Sequence, residues 1–192
     1  VSRRVIALLR KVEPSPAHLD RVVGYVLDEK QRSPVRIEWL RWLRKWKIDL
    51  FSSVGVQALA SKSVELRVVA SQELIGAKRG REEVAEYVMG ALKKSSDSSE
   101  LQQAIKMVQR LPARNAIVSR LADELFAGSI APPVQLEVFE VAKALEKQDK
   151  ALQAKLENHQ AKTAEKGIMA TYGMSLVGGN VEKGRRVFQG HA

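Results

Sequence analysis

Apolar residues recur at helical spacing along almost the whole chain, and strict two-residue alternation is nowhere sustained. The breaks are short and rich in turn formers: Glu13-Pro14-Ser15-Pro16, Arg32-Ser33-Pro34, Ala77-Lys78-Arg79-Gly80, Ser95-Ser96-Asp97-Ser98-Ser99, Leu111-Pro112 and Ala131-Pro132-Pro133. The intervals between them predict about ten helices of roughly 9–15 residues, the ordinary globular length. The expected fold class is all-α.

The pattern itself repeats. Segments starting at Val35, Leu66, Leu101 and Val134 each follow a turn and open an amphipathic helix; their starts lie 31, 35 and 33 residues apart. Val5-Ile6-Ala7-Leu8-Leu9 fits one period earlier, 30 residues before Val35. A second, weaker helix is predicted after each of the first four, at His18–Leu27, Leu50–Leu59, Glu83–Leu92 and Ile117–Phe126. A helix pair this short cannot bury its apolar face alone, so stacking into a right-handed α-solenoid is expected over residues 1–144. The starts Ser33-Pro34-Val35-Arg36 and Ser63-Val64-Glu65-Leu66-Arg67 resemble HEAT-type repeats, in which a small or turn residue, an apolar residue and an Arg open the first helix. Gln102 and Gln135 replace the Arg in the later copies. From Leu145 to Lys166 the chain is polar, with Leu152 and Leu156 four apart, which predicts a solvated helix leading out of the array. Gly167, Gly173, Gly178 and Gly179 then mark a connection, so 145–179 reads as a polar helix and glycine-containing linker.

Composition narrows the chemistry. The 192 residues include no cysteine, which excludes a disulfide scaffold, a thiolate-ligated metal, a cysteine nucleophile and covalent c-type haem attachment within this stretch. With 45% apolar and 28% charged residues the chain is globular. The formal charge is +10, and it is uneven: residues 1–47 hold 12 Lys+Arg against 5 Asp+Glu, the remainder 20 against 17. A positive end of a solenoid suits an acidic protein or another polyanion surface. No apolar run reaches the ~18–20 residues of a bilayer span. No secretory signal pattern is present; the sequence opens at Val1 directly into a helical pattern, as expected of a processed start or a piece of a longer protein.

Trp39, Trp42 and Trp46 fall at i, i+3 and i+7 and form one stripe on one helix, which also carries Arg36, Arg41, Arg44, Lys45 and Lys47. Packing between repeats is the preferred reading of the stripe. A stacking platform for nucleic-acid bases, with Arg36, Arg41, Arg44, Lys45, Trp42 and Trp46 as its interaction surface, is the alternative. His18, His159 and His191 have no metal-binding spacing, and no zincin, calcium-loop or nucleophile-elbow motif is present. Catalytic residues, metal ligands and cofactor-binding residues are therefore expected to be absent from these residues. Gly179–Arg185 has the glycine spacing of a phosphate loop but carries Arg185 and Arg186 where Lys and Ser/Thr are needed, which excludes a nucleotide site.

The same stretch, Gly178-Gly179-Asn180-Val181-Glu182-Lys183-Gly184-Arg185-Arg186-Val187-Phe188, resembles the opening helix of a class I cytochrome c domain. In that family a Gly-Asn/Asp start, a Gly-Arg/Lys pair and a Val/Ile-Phe pair form the first helix, and CxxCH follows. Asn180 suits an N-cap, and Glu182 suits the positive helix N-terminus. Gly184, Arg185, Val187 and Phe188 fall on the remaining family positions. A degenerate helical array, the stretch 125–140, a polar helix and this opening together resemble the large haem-binding membrane-bound dehydrogenase proteins of planctomycetes and verrucomicrobia. In those proteins a sugar-dehydrogenase-like β-propeller precedes a helical-repeat region and a cytochrome c module closes the chain. Residues 180–192 would then start a truncated cytochrome c-like domain, with haem c attached downstream and none attached here. His191 precedes any Cys pair, so no ligand role passes to it.

The resemblance implies a non-catalytic scaffold segment of a larger electron-transfer protein in the periplasm or cell envelope, its partners being the adjoining propeller and cytochrome c domains. The rival expectation is a basic HEAT-like module that binds nucleic acid or docks a protein.

Overall fold

The structure is a computed structural model, and it describes residues 15–112 and 114–165. Among these residues all regular structure is helical. The first α-helices are α1 (Pro16–Leu27), α2 (Ser33–Trp46), α3 (Ile48–Ala58), α4 (Val64–Gly76) and α5 (Arg81–Lys94). They are followed by α6 (Ser98–Val108), α7 (Arg114–Phe126), α8 (Pro132–Leu145), a 3-10 turn at Glu146–Gln148, and α9 (Lys150–Glu165). Each helix falls where the apolar periodicity places one. The expected helix at Val5–Leu9 lies outside the described residues, as do the glycine-containing linker after 166 and the cytochrome-like stretch with Asn180, Gly184, Arg185, Val187 and Phe188.

Local chemistry sets the helix ends. Ser63 caps α4 by accepting from the Leu66 amide at 3.3 Å, and Asp97 caps α6 by accepting from the Glu100 amide at 2.8 Å. Asp149 opens α9, its Oδ1 accepting from the Ala151 and Leu152 amides at 3.0 and 3.1 Å. Two helices end in the same Schellman geometry with different residues. After α7, Gly128 takes φ 74, its amide bonding Leu125 O while that of Ser129 bonds Glu124 O. After α4 the corresponding left-handed position is Lys78 at φ 56, with Lys78 N bonded to Ile75 O and Arg79 N to Leu74 O. A side chain is tolerated there at a cost, because its Cβ crowds the carbonyl in the left-handed region.

The chain divides into two compact units. The first runs through Ser95 and takes in Arg110–Pro112; the second comprises Ser96–Gln109 and the chain beyond residue 112. In the first unit α1 packs on α2 and α3, α2 on α3 and α4, α3 on α4, and α4 on α5. In the second, α6 packs on α7 and α8, α7 on α8 and α9, and α8 on α9. Elements one and two places apart in sequence are thus neighbours in space in both units.

Helix α2 is central to the first unit. It buries Arg36, Ile37, Glu38, Trp39, Leu40, Trp42 and Leu43, residues that point to nearly every side of the helix. Around it Val26, Phe51, Val54, Leu66 and Leu74 are fully enclosed. The second unit buries Ile105, Val118, Ala122, Val138 and Ala142, and α9 joins it through Leu152 and Leu156, both 0% exposed. The polar helix therefore docks by the two leucines that interrupt its polarity, and Lys155 fastens it further, bonding Ser119 Oγ at 3.0 Å and Asp123 Oδ2 at 2.9 Å on α7.

Candidate interaction surface

The residues singled out on α2 separate into buried and exposed sets. Trp39 and Trp42 are buried and meet edge to face, with centroids 5.8 Å apart at 85°. Tyr25 of α1 stacks on Trp39 at 6.0 Å and 13°. Neither indole is open to a stacking base. Trp46 is half-buried, and the Lys45 ammonium lies 4.7 Å from its ring centroid.

Arg36 is only 2% exposed and faces inward. Its Nε donates to Val26 O at 2.7 Å, a carbonyl in the last turn of α1. Its two terminal nitrogens grip Glu29 as a fork, both at 3.0 Å. Glu29 lies in the α1–α2 connection, and its Oε1 also accepts from Ser61 Oγ at 2.8 Å and from the Lys62 amide at 3.3 Å. The Arg36 fork beside it, helped by the Ser61 hydroxyl, holds the Glu29 carboxyl well below the usual carboxylate range, at about 2. One guanidinium thus ties the end of α1, its own helix and the α3–α4 connection together.

The same register does the same work elsewhere. Arg67, 31 residues after Arg36, donates to Ser61 O at 2.7 Å and Lys62 O at 3.2 Å in the turn before its own helix. Gln135 reaches Ile130 O at 2.9 Å in the turn before α8. Gln102 departs, donating instead to Pro133 O at 3.1 Å in the first turn of α8. The polar residue that opens a first helix binds a carbonyl of the preceding connection in three of these four copies. Ser33 and Ser63 also meet directly, hydroxyl to hydroxyl at 2.7 Å, across 30 residues of sequence.

Arg41 and Arg44 are partly exposed but engaged. Arg41 bonds Glu73 Oε1 at 3.1 Å and lies 3.5 Å from Glu38 Oε1; Arg44 pairs with the second oxygen of Glu73. Glu73 stands on α4, so this network joins two first helices as a charge-balanced group of two arginines and two carboxylates. All three arginines proposed for the surface have carboxylate partners, and the outward basic character of α2 rests on Lys45. The sequence reading missed Glu29, Glu73 and Ser61. The signal that could have found Glu73 and Ser61 was the repeat itself, since both lie 29–33 residues from the groups they pair with.

His18 is exposed, its Nδ1 2.7 Å from Ser15 Oγ; His159 on α9 stacks on Phe126 of α7 with ring centroids 4.3 Å apart. Among the described residues no group of three or more His, Cys, Asp or Glu side chains could hold a metal ion, and no helix is long and apolar enough to cross a membrane. No protein-family model, curated protein or solved structure matches this chain.

Proposed function

We propose that these residues form a HEAT-like α-solenoid that serves as a non-catalytic scaffold within a larger haem-binding electron-transfer protein of the cell envelope. The stretch Gly178–Phe188, following directly on a helical array, carries this reading. The helical pairing supports the repeat component. Helices two apart pack together in each unit, and equivalent positions about 30 residues apart bond one another at Ser33–Ser63. In this role the array holds a propeller and a cytochrome c module at a set separation, and the residues after 166 connect it to the haem domain.

The pairing of Arg36, Arg41 and Arg44 with Glu29, Glu38 and Glu73 favours the scaffold over the nucleic-acid reading, because phosphate binding needs cations free to replace counterions. Expression of residues 1–192 with haem-maturation machinery is expected to yield a colourless protein. A Soret band from covalently attached haem would overturn the assignment of attachment to the downstream region. Anisotropy titration with duplex and single-stranded DNA should show no submicromolar binding at physiological salt, and tight binding with a steep salt slope would favour the rival.

A further inference from the structure

Glu137 lies on α8 and is 3% exposed; its Oε2 is buried and has no hydrogen-bond partner. A buried carboxylate oxygen without a donor is costly, most of all when ionised. The equivalent position in the first unit shows what is missing. Glu38 stands three residues after the repeat start at Val35, as Glu137 stands three after Val134. Glu38 is also buried, but Arg41 approaches its Oε1 at 3.5 Å and continues to Glu73 on the next first helix. On α8 the positions of Arg41 and Arg44 are taken by Glu140 and Lys143, and Lys143 turns to Glu146 at 2.6 Å. A cation for the Glu137 Oε2 must therefore come from beyond α8.

Charge along the chain identifies a source. Residues 96–109 and 114–165 hold eight Lys+Arg against ten Asp+Glu, a balance of −2. Residues 166–192, which follow immediately, hold four (Lys166, Lys183, Arg185, Arg186) against Glu182 alone, a balance of +3. We propose that the segment 180–192 docks on the Glu137 side of α8 within the same chain, with Arg185 or Arg186 completing the buried carboxylate. A guanidinium suits the task, since its fork can serve a carboxylate at two points while remaining charged. The contact fixes where the chain leaves the helical array and hence where any following module begins. The inference uses only the charge and position of the segment, and it stands whether or not that segment opens a cytochrome domain.

Trypsin cleavage of the full 192-residue chain tests it, with cuts after Lys183, Arg185 and Arg186 followed by mass spectrometry. Glu137→Gln keeps the shape and removes the charge, and it should speed these cuts roughly tenfold while cleavage after Lys93 and Lys94 is unchanged, because cutting follows the open population. Equal rates in wild type and E137Q would overturn the proposal. Should E137Q lose helicity, the double variant Arg185→Gln/Arg186→Gln in the intact chain gives the same reading at Lys183: faster cleavage supports docking, and an unchanged rate overturns it. Protection that grows with protein concentration would place a second copy on Glu137 and would equally overturn the intrachain contact.

Discussion

Replacing Arg36 with Met keeps an unbranched stem of similar length and removes every hydrogen bond the guanidinium makes. The Val26 carbonyl, in a residue 0% exposed, loses its 2.7 Å donor. A buried acceptor left without a partner costs about 1–3 kcal/mol. The Glu29 carboxylate, whose side chain is 40% exposed, can rehydrate and keeps Ser61 and the Lys62 amide, so its loss adds little. The expected destabilisation is thus about 2 kcal/mol, well short of the ~3–5 kcal/mol of a fully enclosed ion pair broken on one side. Arg36→Lys should cost about half as much, since an ammonium can still reach one partner but cannot span both. The assay is urea unfolding read by tryptophan fluorescence. All three tryptophans sit on α2, so the signal reports the first unit alone. With an m-value of about 2 kcal/mol/M the R36M midpoint falls by about 1 M. A shift under about 0.2 M, or a larger loss for Lys than for Met, would refute the reasoning that Arg36 acts through its forked geometry.

Other substitutions test separate features. Lys78→Gly relieves a left-handed side chain after α4 and should stabilise the first unit by about 0.5–1 kcal/mol, whereas Gly128→Ala should destabilise the end of α7 by about 1 kcal/mol; urea midpoints by fluorescence and by circular dichroism read the two. Leu156→Ala removes one of the two leucines that seat α9 and should cost about 2–4 kcal/mol, visible as fast amide exchange confined largely to that helix. Because the Glu29 carboxyl is held near 2 in the folded chain against 4.5 ordinarily, its contribution is fully present above about pH 4.5. That contribution is lost as the pH falls toward 2, and Glu29→Gln should flatten this part of the stability profile; an unchanged acid limb in E29Q would count against the clasp.

The helices were legible because their signal is local. Apolar spacing, Ser63 and Asp97 as caps, and the Pro-bearing turns all act within a few residues of where they are read. The docking of α9 was half visible, since Leu152 and Leu156 mark the side that packs, while Lys155 pairing with Asp123 requires knowing that α7 lies beneath it. The α2 arginines show why surface chemistry was harder to read. Five cations on one amphipathic helix resemble a solvated basic face, yet Arg36 turns inward because Val26 O and Glu29 await it there. Arg41 and Arg44 are balanced by Glu73, a residue 29–32 positions away that only the stacked register brings near. Sequence spacing gives the helix face on which a charge lies, and the carboxylates of neighbouring helices decide whether it remains available. The burial of Glu137 was hidden for the same reason, as glutamates on a polar helix face are routine.

The central claim is that this array scaffolds a haem protein, and the native polypeptide tests it most directly. The protein should be purified from its source by antibodies to residues 15–165 and examined by tryptic peptide mapping and pyridine haemochrome. The account predicts that the peptide containing Val187-Phe188 continues into a CxxCH sequence carrying covalent haem. A native polypeptide without haem, in which no CxxCH follows Phe188, would contradict it.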